Sequence, residues 1–428
     1  MKALGSSRDV SVLKGALVDQ LKRGGYIQSP GVEAAFRAVP RHLFLPDTPL
    51  EEAYADRAIL VKLDEDGQWI SSSSQPAIMA IMLEQLDLAP GHRVIEMGAG
   101  SGYNAALIAH IVGEASQVIS VDIDDDLVHS ARTHLATAGF ERVRAARADG
   151  GFGYPEAAPY DRIILTVGAA DVVPAWVEQL KPDGRLVLPL SIVQMQHSIA
   201  FERSSNYLIS RSLRDCGFMK LRGAFAKAPV EHMSLGPEPG LTMEVSQEHP
   251  LGAEQAYAWL TGPSRDWDTG LVVTLREVLT GLAMWLSLHG LGGVALVARG
   301  EMAGRNIVPP LVGYTGIEGQ EKSVSTGVLL GDGGIAALMR PPGQAAPMAD
   351  GCSTCAFTSP FGLYVRAFGP DESVAVRLVE GVRAWDRAGR PSTESLRVRV
   401  YPKNVDYAPA EGEYLVEKEW TRLVLDWP

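Results

Sequence analysis

Hydrophobic and polar positions change their period several times between residues 91 and 190, and this change predicts a parallel α/β sheet. Short apolar runs alternate with stretches in which apolar residues recur at helical spacing. The predicted strands are Arg93–Met97, Val118–Val121, Val143–Arg147, Asp161–Thr166 and Arg185–Leu190. The predicted helices are Tyr103–Val112, Leu127–Ala138 and Val173–Leu180. Strands that alternate with helices in this way favour a parallel sheet with helices packed on its faces.

Residues 70–86 read ISSSSQPAIMAIMLEQL, a serine tetrad followed at once by an apolar run. Serine runs are typical of loops. Pro76 and the apolar positions after it instead predict the first turn of a buried helix. The serines therefore lie directly before a buried helix, and a polar helix-capping loop is the alternative to a functional role for them.

The flanking sequence predicts helices before the sheet and a second domain after it. Residues 8–50 have the pattern of two amphipathic helices. Residues 197–213 alternate across a Ser-Ser-Asn turn, which predicts a hairpin. The Pro- and Gly-bearing stretch 227–240 is the best candidate for a domain boundary.

Composition limits the class of protein. The chain has 428 residues, of which 46% are hydrophobic and 21% charged, as in ordinary soluble proteins of two or three domains. A formal charge of −12 argues against nucleic-acid binding, which needs a basic face. The apolar run Gly281–Ala298 contains a histidine and several glycines, so we interpret it as a helix, a turn and a strand and expect no membrane contact.

The three cysteines, Cys216, Cys352 and Cys355, are too few for a disulfide framework and favour a reducing cytoplasm. Cys352 and Cys355 form a C-x-x-C pair, but no second pair or well-spaced histidines accompany them. We therefore expect two inert thiols in a loop and no metal site.

A glycine loop, Gly98-x-Gly100-x-Gly102, connects the first predicted strand to the next helix. Residue 103 is Tyr, so the loop departs from the G-x-G-x-x-G of dinucleotide binders, whose backbone cradles a pyrophosphate. S-adenosylmethionine has no pyrophosphate, and its binding needs only close approach of the loop backbone to its methionine and ribose parts.

Acidic residues follow the predicted strands. Asp122 ends the second strand, where a carboxylate can accept hydrogen bonds from both ribose hydroxyls. Asp149-Gly150 follows the third strand, where a carboxylate can accept from an adenine amino group, and Glu96 precedes the loop. Residues 124–126 are all aspartate and are interpreted as helix N-cap and first-turn charges rather than ligands.

With these residues placed, residues 10–225 resemble the protein-L-isoaspartate O-methyltransferase family. The more specific matches are Val39-Pro40-Arg41, Ser74-Gln75-Pro76 and Gly168-Ala169-Ala170. The resemblance implies a Rossmann-like class I S-adenosylmethionine-dependent methyltransferase with an N-terminal helical segment and a second α/β (α+β) C-terminal domain. It also implies S-adenosyl-L-homocysteine as the product of the donor.

The resemblance implies roles for individual residues. It places a serine that touches the methyl-accepting carboxylate just before x-Pro, which maps to Ser74, with Ser71 as the competing candidate. The segment 62–73 is longer than the glycine-rich approach usual in the family and differs from it. The implied cofactor-binding residues are Glu96, Gly98, Gly100, Gly102, Tyr103, Asn104, Asp122, Ile123, Asp149, Gly150 and Thr166. The implied substrate-binding residues are Ser73, Gln75, Pro76, Val167, Gly168 and Ala169.

The chain continues well past the family match. We expect residues 1–90 to form a helical cap with the acceptor segment, 91–225 the cofactor-binding domain, and 226–428 a domain that recognises a peptide. Residues 197–223 and 363–392 resemble methyltransferases of peptide natural-product pathways, of the lanthipeptide FxLD type or associated with graspetides. That likeness implies methylation of an aspartate in a modified, macrocyclic ribosomal precursor peptide, whose ester then collapses to a succinimide (aspartimide) or to isoaspartate.

Two other hypotheses remain. The chain could repair isoaspartyl damage in proteins, with its C-terminal half serving assembly, or it could be an inactive scaffold. The intact glycine loop with Asp122 and Asp149 argues against the scaffold. A repair enzyme should accept short isoaspartyl peptides of almost any sequence, whereas a tailoring enzyme should require one constrained partner.

Overall fold

The computed structural model describes residues 7–114, 116–193, 195–228, 231–245, 251–292, 294–314, 322–345, 348–349 and 357–428. The chain forms two compact units. The first unit combines Met1–Lys227 with Arg397–Pro428, and the second comprises Ala228–Leu396.

Strands and helices within the described residues are numbered in chain order. The strands are β1 Ile59–Leu63, β2 Trp69–Ser73, β3 Val94–Met97, β4 Val118–Asp122, β5 Arg144–Arg147, β6 Tyr160–Leu165, β7 Leu180–Ser191, β8 Gln196–Ser204, β9 Tyr207–Cys216, β10 His232–Ser234, β11 Leu241–Glu244, β12 Ser264–Thr274, β13 Val294–Arg299, β14 Val312–Tyr314, β15 Ser323–Gly331, β16 Gly334–Met339, β17 Met348–Ala349, β18 Pro360–Phe368, β19 Arg397–Pro402, β20 Tyr414–Glu417 and β21 Thr421–Asp426. The helices are α1 Ser7–Arg23, α2 Pro30–Ala38, α3 Leu50–Ala53, α4 Pro76–Leu86, α5 Tyr103–Val112, α6 Asp125–Thr137, α7 Pro174–Gln179, α8 Ala253–Thr261, α9 Leu275–Glu277, α10 Ala283–Leu288 and α11 Ser373–Arg387.

The first unit contains one ten-stranded sheet with the order β20-β21-β19-β9-β8-β7-β6-β3-β4-β5. Strands β3 to β7 pair in parallel, and the pairs from β7 to β20 are antiparallel. All residues of β3 and β4 are buried, as expected for parallel strands covered on both faces. The parallel α/β sheet predicted for residues 91–190 and the hairpin predicted for 197–213 are both confirmed.

The register of the parallel strands brings their carboxyl ends to one edge of the sheet. Met97, the last residue of β3, pairs with Val121 of β4 and with Leu165 of β6. Asp122 in turn pairs with Arg147 of β5. The loops that follow these strands therefore emerge side by side, where open α/β sheets bind ligands.

Three serines of the tetrad form a strand, so the alternative interpretation of the tetrad as a helix-capping loop is wrong for them. Ser71, Ser72 and Ser73 lie in β2, which pairs antiparallel with β1. Serine is a weak strand former, so nothing in the local pattern indicates a hairpin here; the pairing with β1 supplies the stabilisation.

The start of α4 is at Pro76, as predicted, but its cap comes from elsewhere in the chain. The Asp56 carboxylate accepts a hydrogen bond from the backbone N–H of Ala77 at 2.9 Å and another from the Gln75 side chain at 3.2 Å. An acidic group at a helix N-terminus satisfies free backbone donors and complements the helix dipole.

The last 32 residues differ from the predicted domain organisation, which assigned all of 226–428 to the C-terminal domain. Strand β19 pairs with β9 through Val400 and Leu208, and β21 extends the same sheet. Leu423 and Leu425 are completely buried. The partners of these strands lie about 190 positions earlier in the chain, and no local sequence pattern encodes a pairing over that separation. Residues Arg397–Pro428 therefore belong to the first unit.

The carboxylate of Asp171 anchors this C-terminal extension. It accepts hydrogen bonds from the backbone N–H of Trp420 at 2.6 Å and of Thr421 at 3.3 Å, and from the Thr421 hydroxyl. Asp171 directly follows the predicted Gly168-Ala169-Ala170 motif. The start of β21 is thus tied to a loop of the methyltransferase-like core.

The second unit is an α+β structure. Its sheet has the strand order β10-β11-β13-β15-β16-β18-β12, with β14 paired to β15 and β17 among the described residues. Helix α11 packs its apolar face, including Leu378, Val382 and Trp385, into the larger core of this unit. The predicted helix, turn and strand of Gly281–Ala298 are confirmed, since α10 ends at Leu288 and β13 begins at Val294.

Within the described part of the chain, no helix is long and apolar enough to cross a membrane. Cys216 is a free thiol, and burial raises its pKa to about 12. Cys352 and Cys355 lie outside the described residues.

We predict that Asp171→Asn loosens the C-terminal extension. The change removes the negative charge that accepts three hydrogen bonds, and hydrogen bonds to a charged group contribute about 1.5–3 kcal/mol each. Amide hydrogen exchange of β21 should accelerate at least about tenfold. The exposed Glu411→Gln is the matched control and should leave exchange in β21 unchanged. Equal protection of β21 in both variants would contradict the anchoring role of Asp171.

Candidate active site

A cleft opens at the edge where the parallel strands end. It has a volume of ≈ 980 Å³, counting the part open to solvent, which lies within the usual range for small-molecule sites. Three segments contribute much of its wall: residues Gly98–Ser101 of the glycine loop, residues Ile70–Ser74 of the serine strand and its end, and the segment Phe218–Arg222.

The glycine loop needs its glycines for conformation and for space. Gly98 and Gly100 have φ angles of 105° and 50°, which side chains with a Cβ rarely adopt. A Cβ on Gly98 would lie 2.5 Å from the Thr166 hydroxyl oxygen, which donates to the Gly98 carbonyl at 2.8 Å. A Cβ on Gly100 would lie 3.6 Å from the Ser71 hydroxyl oxygen. The loop therefore runs closely between Thr166 and the serine strand.

Two carboxylates lie at the cleft, and they differ in how many of their acceptor sites the protein already uses. Asp122 accepts from the backbone N–H of Gly100 at 3.1 Å and of Asp124 at 3.3 Å, while burial raises its pKa. Glu96 is fully buried, and burial raises its pKa to about 7. Its two oxygens accept from the Asn104 amide at 2.7 Å and the Ser120 hydroxyl at 2.6 Å. Glu96 thus positions the first turn of α5, whereas Asp122 retains lone pairs for a ligand.

On the opposite wall, a buried arginine fixes the backbone of the serine segment. The guanidinium of Arg41 donates to the carbonyl of Ser74 at 3.1 Å and lies 5.5 Å from the ring centre of Tyr103. Burial lowers the pKa of Arg41. The hydroxyl of Ser73 is buried and has no hydrogen-bond partner within the described structure. This wall therefore contains one buried hydroxyl without a partner among the described residues.

Thirteen of the predicted site residues line the cleft. These are Ser71, Ser73, Ser74, Glu96, Gly98, Gly100, Tyr103, Asn104, Asp122, Ile123, Gly150, Thr166 and Val167. Six others do not line it: Gln75, Pro76, Gly102, Asp149, Gly168 and Ala169. The predicted contacts of all nineteen residues with cofactor or substrate stay predictions.

Several of the residues outside the wall support residues within it. The Asp149 carboxylate accepts from the backbone N–H of Gly151 at 2.9 Å and of Ala224 at 2.7 Å, so it fixes the turn that carries Gly150. The backbone of Gly168 exchanges hydrogen bonds with Met219 and Leu221, at 2.7 and 2.8 Å. Gly168 thereby holds the segment Phe218–Arg222 against the cleft.

Sequence reasoning missed the segment Phe218–Arg222 as part of the site. Arg222 forms an ion pair with Asp124 at 2.7 Å, and Lys62 of β1 contacts the same carboxylate at 3.2 Å. These pairs connect the serine hairpin, the end of β4 and the segment after β9. Because these residues are far apart in the chain, no local sequence pattern predicts their contacts. Asp124 is at the N-cap of α6 as predicted, although its side chain makes these ion pairs rather than a capping hydrogen bond.

No cluster of three or more potential metal ligands occurs among the residues that the structure describes.

Comparison with known proteins identifies the first half of the chain. Residues 12–225 match the model of the family described as protein-L-isoaspartate(D-aspartate) O-methyltransferase. The protein-L-isoaspartate O-methyltransferase of Methanopyrus kandleri is 42% identical over 209 residues, which are 48% of this chain and 90% of that protein. The corresponding protein of Hyperthermus butylicus is 39% identical over 218 residues, 49% of this chain and 88% of its own.

Solved structures give looser matches. A protein-L-isoaspartate O-methyltransferase aligns over 96% of this chain and 98% of its own, with a TM-score of 0.49 and 22% identity. A Plasmodium falciparum member, described as putative and solved in complex with S-adenosyl-L-homocysteine, aligns over 48% of this chain and 97% of its own, with a TM-score of 0.43 and 22% identity.

The family match, the relatives above 30% identity and the glycine-loop cleft agree with one another. The chain belongs to the protein-L-isoaspartate O-methyltransferase family of S-adenosylmethionine-dependent carboxyl O-methyltransferases.

Proposed function

We propose that this protein methylates the free carboxylate of isoaspartyl residues in polypeptides, the damage-repair reaction. The observation that supports the proposal is that the glycine loop and the serine segment line one and the same cleft. A glycine loop flanked by Asp122 faces a strand of serine hydroxyls, and a Cβ on Gly100 would lie 3.6 Å from Ser71. A donor and an acceptor bound on these walls would lie next to each other, and such proximity is the main requirement of a transfer between two substrates.

The residues on the glycine side fit S-adenosylmethionine. A carboxylate can accept about four hydrogen bonds, and Asp122 uses one on each oxygen, so both oxygens can still accept from ribose hydroxyls. The positive φ angles of Gly98 and Gly100 leave the loop without side chains that would fill the cradle. Asn104, held by Glu96, and Ile123 after β4 complete this wall.

The residues on the serine side fit a carboxylate. We infer that the Ser74 hydroxyl donates to one carboxylate oxygen and turns the other towards the donor, with Ser71 as the competing candidate. Ser73 lines the same wall, and its buried hydroxyl has no partner among the described residues. Because Arg41 holds the Ser74 carbonyl, the hydroxyl at this position is fixed relative to the glycine loop.

The chemistry requires alignment rather than a base. S-adenosylmethionine supplies a methyl group activated by a sulfonium, and an aspartyl-type carboxylate is already ionised at neutral pH. The protein has to orient the carboxylate oxygen and to exclude water. Negative charge disappears as the ester forms, so a strong cationic clamp would stabilise the ground state more than the transition state. Neutral hydroxyls suit this task, and the cations of Lys62 and Arg222 are already compensated by Asp124.

A second candidate substrate follows from the length of the chain. The family match ends at residue 225, and the second unit, Ala228–Leu396, lies beyond it. A unit of this size fits recognition of one partner, such as the aspartate-bearing modified precursor peptide of a lanthipeptide or graspetide pathway, with aspartimide as the outcome. The relatives support the repair reaction, and in either case the few cysteines fit a cytoplasmic enzyme.

Asp122→Asn should weaken binding of S-adenosylhomocysteine at least about tenfold, as measured by calorimetry. The amide turns one acceptor oxygen into a donor that faces the Gly100 N–H or a ribose hydroxyl, and leaving such groups unpaired costs about 1–3 kcal/mol. Asp125→Asn, on the exposed first turn of α6, is the matched control and should bind normally. Unchanged affinity of Asp122→Asn would contradict the ribose assignment.

Ser74→Ala should reduce kcat about ten- to a hundredfold without changing the affinity for S-adenosylhomocysteine. The loss corresponds to one hydrogen bond to a charged group at the acceptor. Ser72→Ala, on the opposite face of the same hairpin to Ser71 and Ser73, is the comparison. A fully active Ser74→Ala with a damaged Ser71→Ala would move the acceptor contact to Ser71.

The two candidate substrates separate in a peptide panel. Short isoaspartyl peptides of unrelated sequence should gain about 14 Da with S-adenosylmethionine, whereas the matching aspartyl peptides should not. The controls are the same reactions with Asp122→Asn. The opposite result is that the enzyme rejects every linear isoaspartyl peptide and methylates an aspartate in a macrocyclic precursor. That result would contradict the repair function and support peptide tailoring.

A further inference from the structure

A second pocket lies in the first unit, next to the cleft. It has a volume of ≈ 660 Å³, counting its open part. Leu221 lines both cavities. The wall of the second pocket is formed by the loop around Asp171, by the segment that carries Phe225 and Lys227, and by the turn Lys418–Trp420 of the C-terminal extension.

Two chain segments run from the cleft to this pocket, which limits the distance between them. Val167 lines the cleft and Asp171 lines the pocket, so these wall residues are four positions apart. Four residues span at most about 14 Å. An extended polypeptide rises about 3.3 Å per residue. The Cα atoms of these two wall residues therefore lie within a distance that about four extended peptide residues can span.

Lys418 gives the pocket an incompletely satisfied cation. Its half-buried ammonium donates to the carbonyl of Ser191 at 2.8 Å and forms no ion pair with the residues that the structure describes. Burial and, to a smaller extent, repulsion by Lys227 lower the pKa of Lys418 to about 8, while attraction to the Asp171 carboxylate acts in the opposite direction. An ammonium has three N–H donors, so two remain for a ligand.

The acidic residues of the pocket are largely used elsewhere. Asp171 accepts the hydrogen bonds that anchor β21. Glu417 pairs with Lys403 and with Arg422. Glu419 is exposed and lies at the rim. Asp171 attracts the half-buried ammonium of Lys418 without a direct ion pair, so this cation still lacks a direct carboxylate partner among the described residues of the pocket. A partly buried charge without such a partner is costly.

Aromatic rings complete the pocket. Phe225 packs against Trp420 with ring centres 5.8 Å apart, and against Phe152 at 5.1 Å. Phe152 is 54% exposed and Trp420 39% exposed. Exposed aromatic side chains beside a cation are typical of surfaces that bind polypeptides.

We propose that this second pocket binds a carboxylate of the polypeptide substrate through Lys418, with Lys227 assisting, while Phe225 and Trp420 pack on the stem of the bound residue. The proposal rests on the proposed function, and it names an acidic residue within about four positions of the methylated one as a specificity determinant. Methyl transfer itself does not involve Lys418.

The test uses pairs of isoaspartyl peptides that carry Glu or Gln at one position, from one to four residues before or after the isoaspartyl residue. In one arm of the experiment the peptides have an amidated C-terminus, and in the other they have a free one. This comparison distinguishes binding of a side-chain carboxylate from binding of the terminal carboxylate. The full-length enzyme is compared with Lys418→Met, with the charge-retaining Lys418→Arg, and with Arg23→Met, which removes one exposed charge at the end of α1. Kinetics are paired with calorimetric binding of the same peptides to enzyme saturated with S-adenosylhomocysteine.

We expect Glu to lower KM and Kd about tenfold relative to Gln at one position or more in the amidated arm, with kcat unchanged. Lys418→Met should abolish this preference, whereas Lys418→Arg and Arg23→Met should retain it. A preference confined to the free C-terminus would move the ligand to a terminal carboxylate and overturn the side-chain assignment. Three outcomes would overturn the assignment of the pocket as a carboxylate site. These are peptide binding without any preference for Glu, an undiminished preference in Lys418→Met, and the absence of peptide binding. Binding with the expected preference but without methylation would instead overturn the proposed function.

Discussion

The close approach of the glycine loop to the serine strand is the constraint on which the site depends. Parallel register brings the ends of β3, β4 and β6 to one edge, and the loop after β3 turns there with positive φ angles. Thr166 fills the space that a Cβ on Gly98 would need. Because Gly98 and Gly100 carry no side chains, the serine hairpin can lie close to the loop, and the two segments form walls of one cleft.

A second group of interactions keeps the acceptor wall in position from outside the cleft. The buried guanidinium of Arg41 holds the Ser74 carbonyl, and Asp56 caps the helix that follows. Neither side chain needs to touch a substrate. Arg41 is completely buried, and two of its guanidinium nitrogens have no partner among the described residues, whereas Asp56 is only partly buried. A buried arginine is costly, so its bond to the Ser74 carbonyl indicates that the geometry of this wall is closely specified.

Sequence reasoning predicted the parts of the fold that are encoded locally. The parallel sheet, the helix beginning at Pro76 and the acid at the end of β4 all follow from periodicity and spacing. It failed where partners are distant in the chain. Serines 71–73 form a strand because β1 pairs with them, and Arg397–Pro428 returns to the first unit because β9 offers an edge. The segment Phe218–Arg222 lies at the site because its backbone forms hydrogen bonds with Gly168, and no local sequence pattern predicts this pairing.

The most direct measurement of the central claim is a crystal structure of the protein with S-adenosylhomocysteine. The account predicts that the ribose hydroxyls contact Asp122 and that the sulfur faces the open space beside Ser73 and Ser74. A sulfur atom directed into sealed protein, or far from these serines, would contradict it.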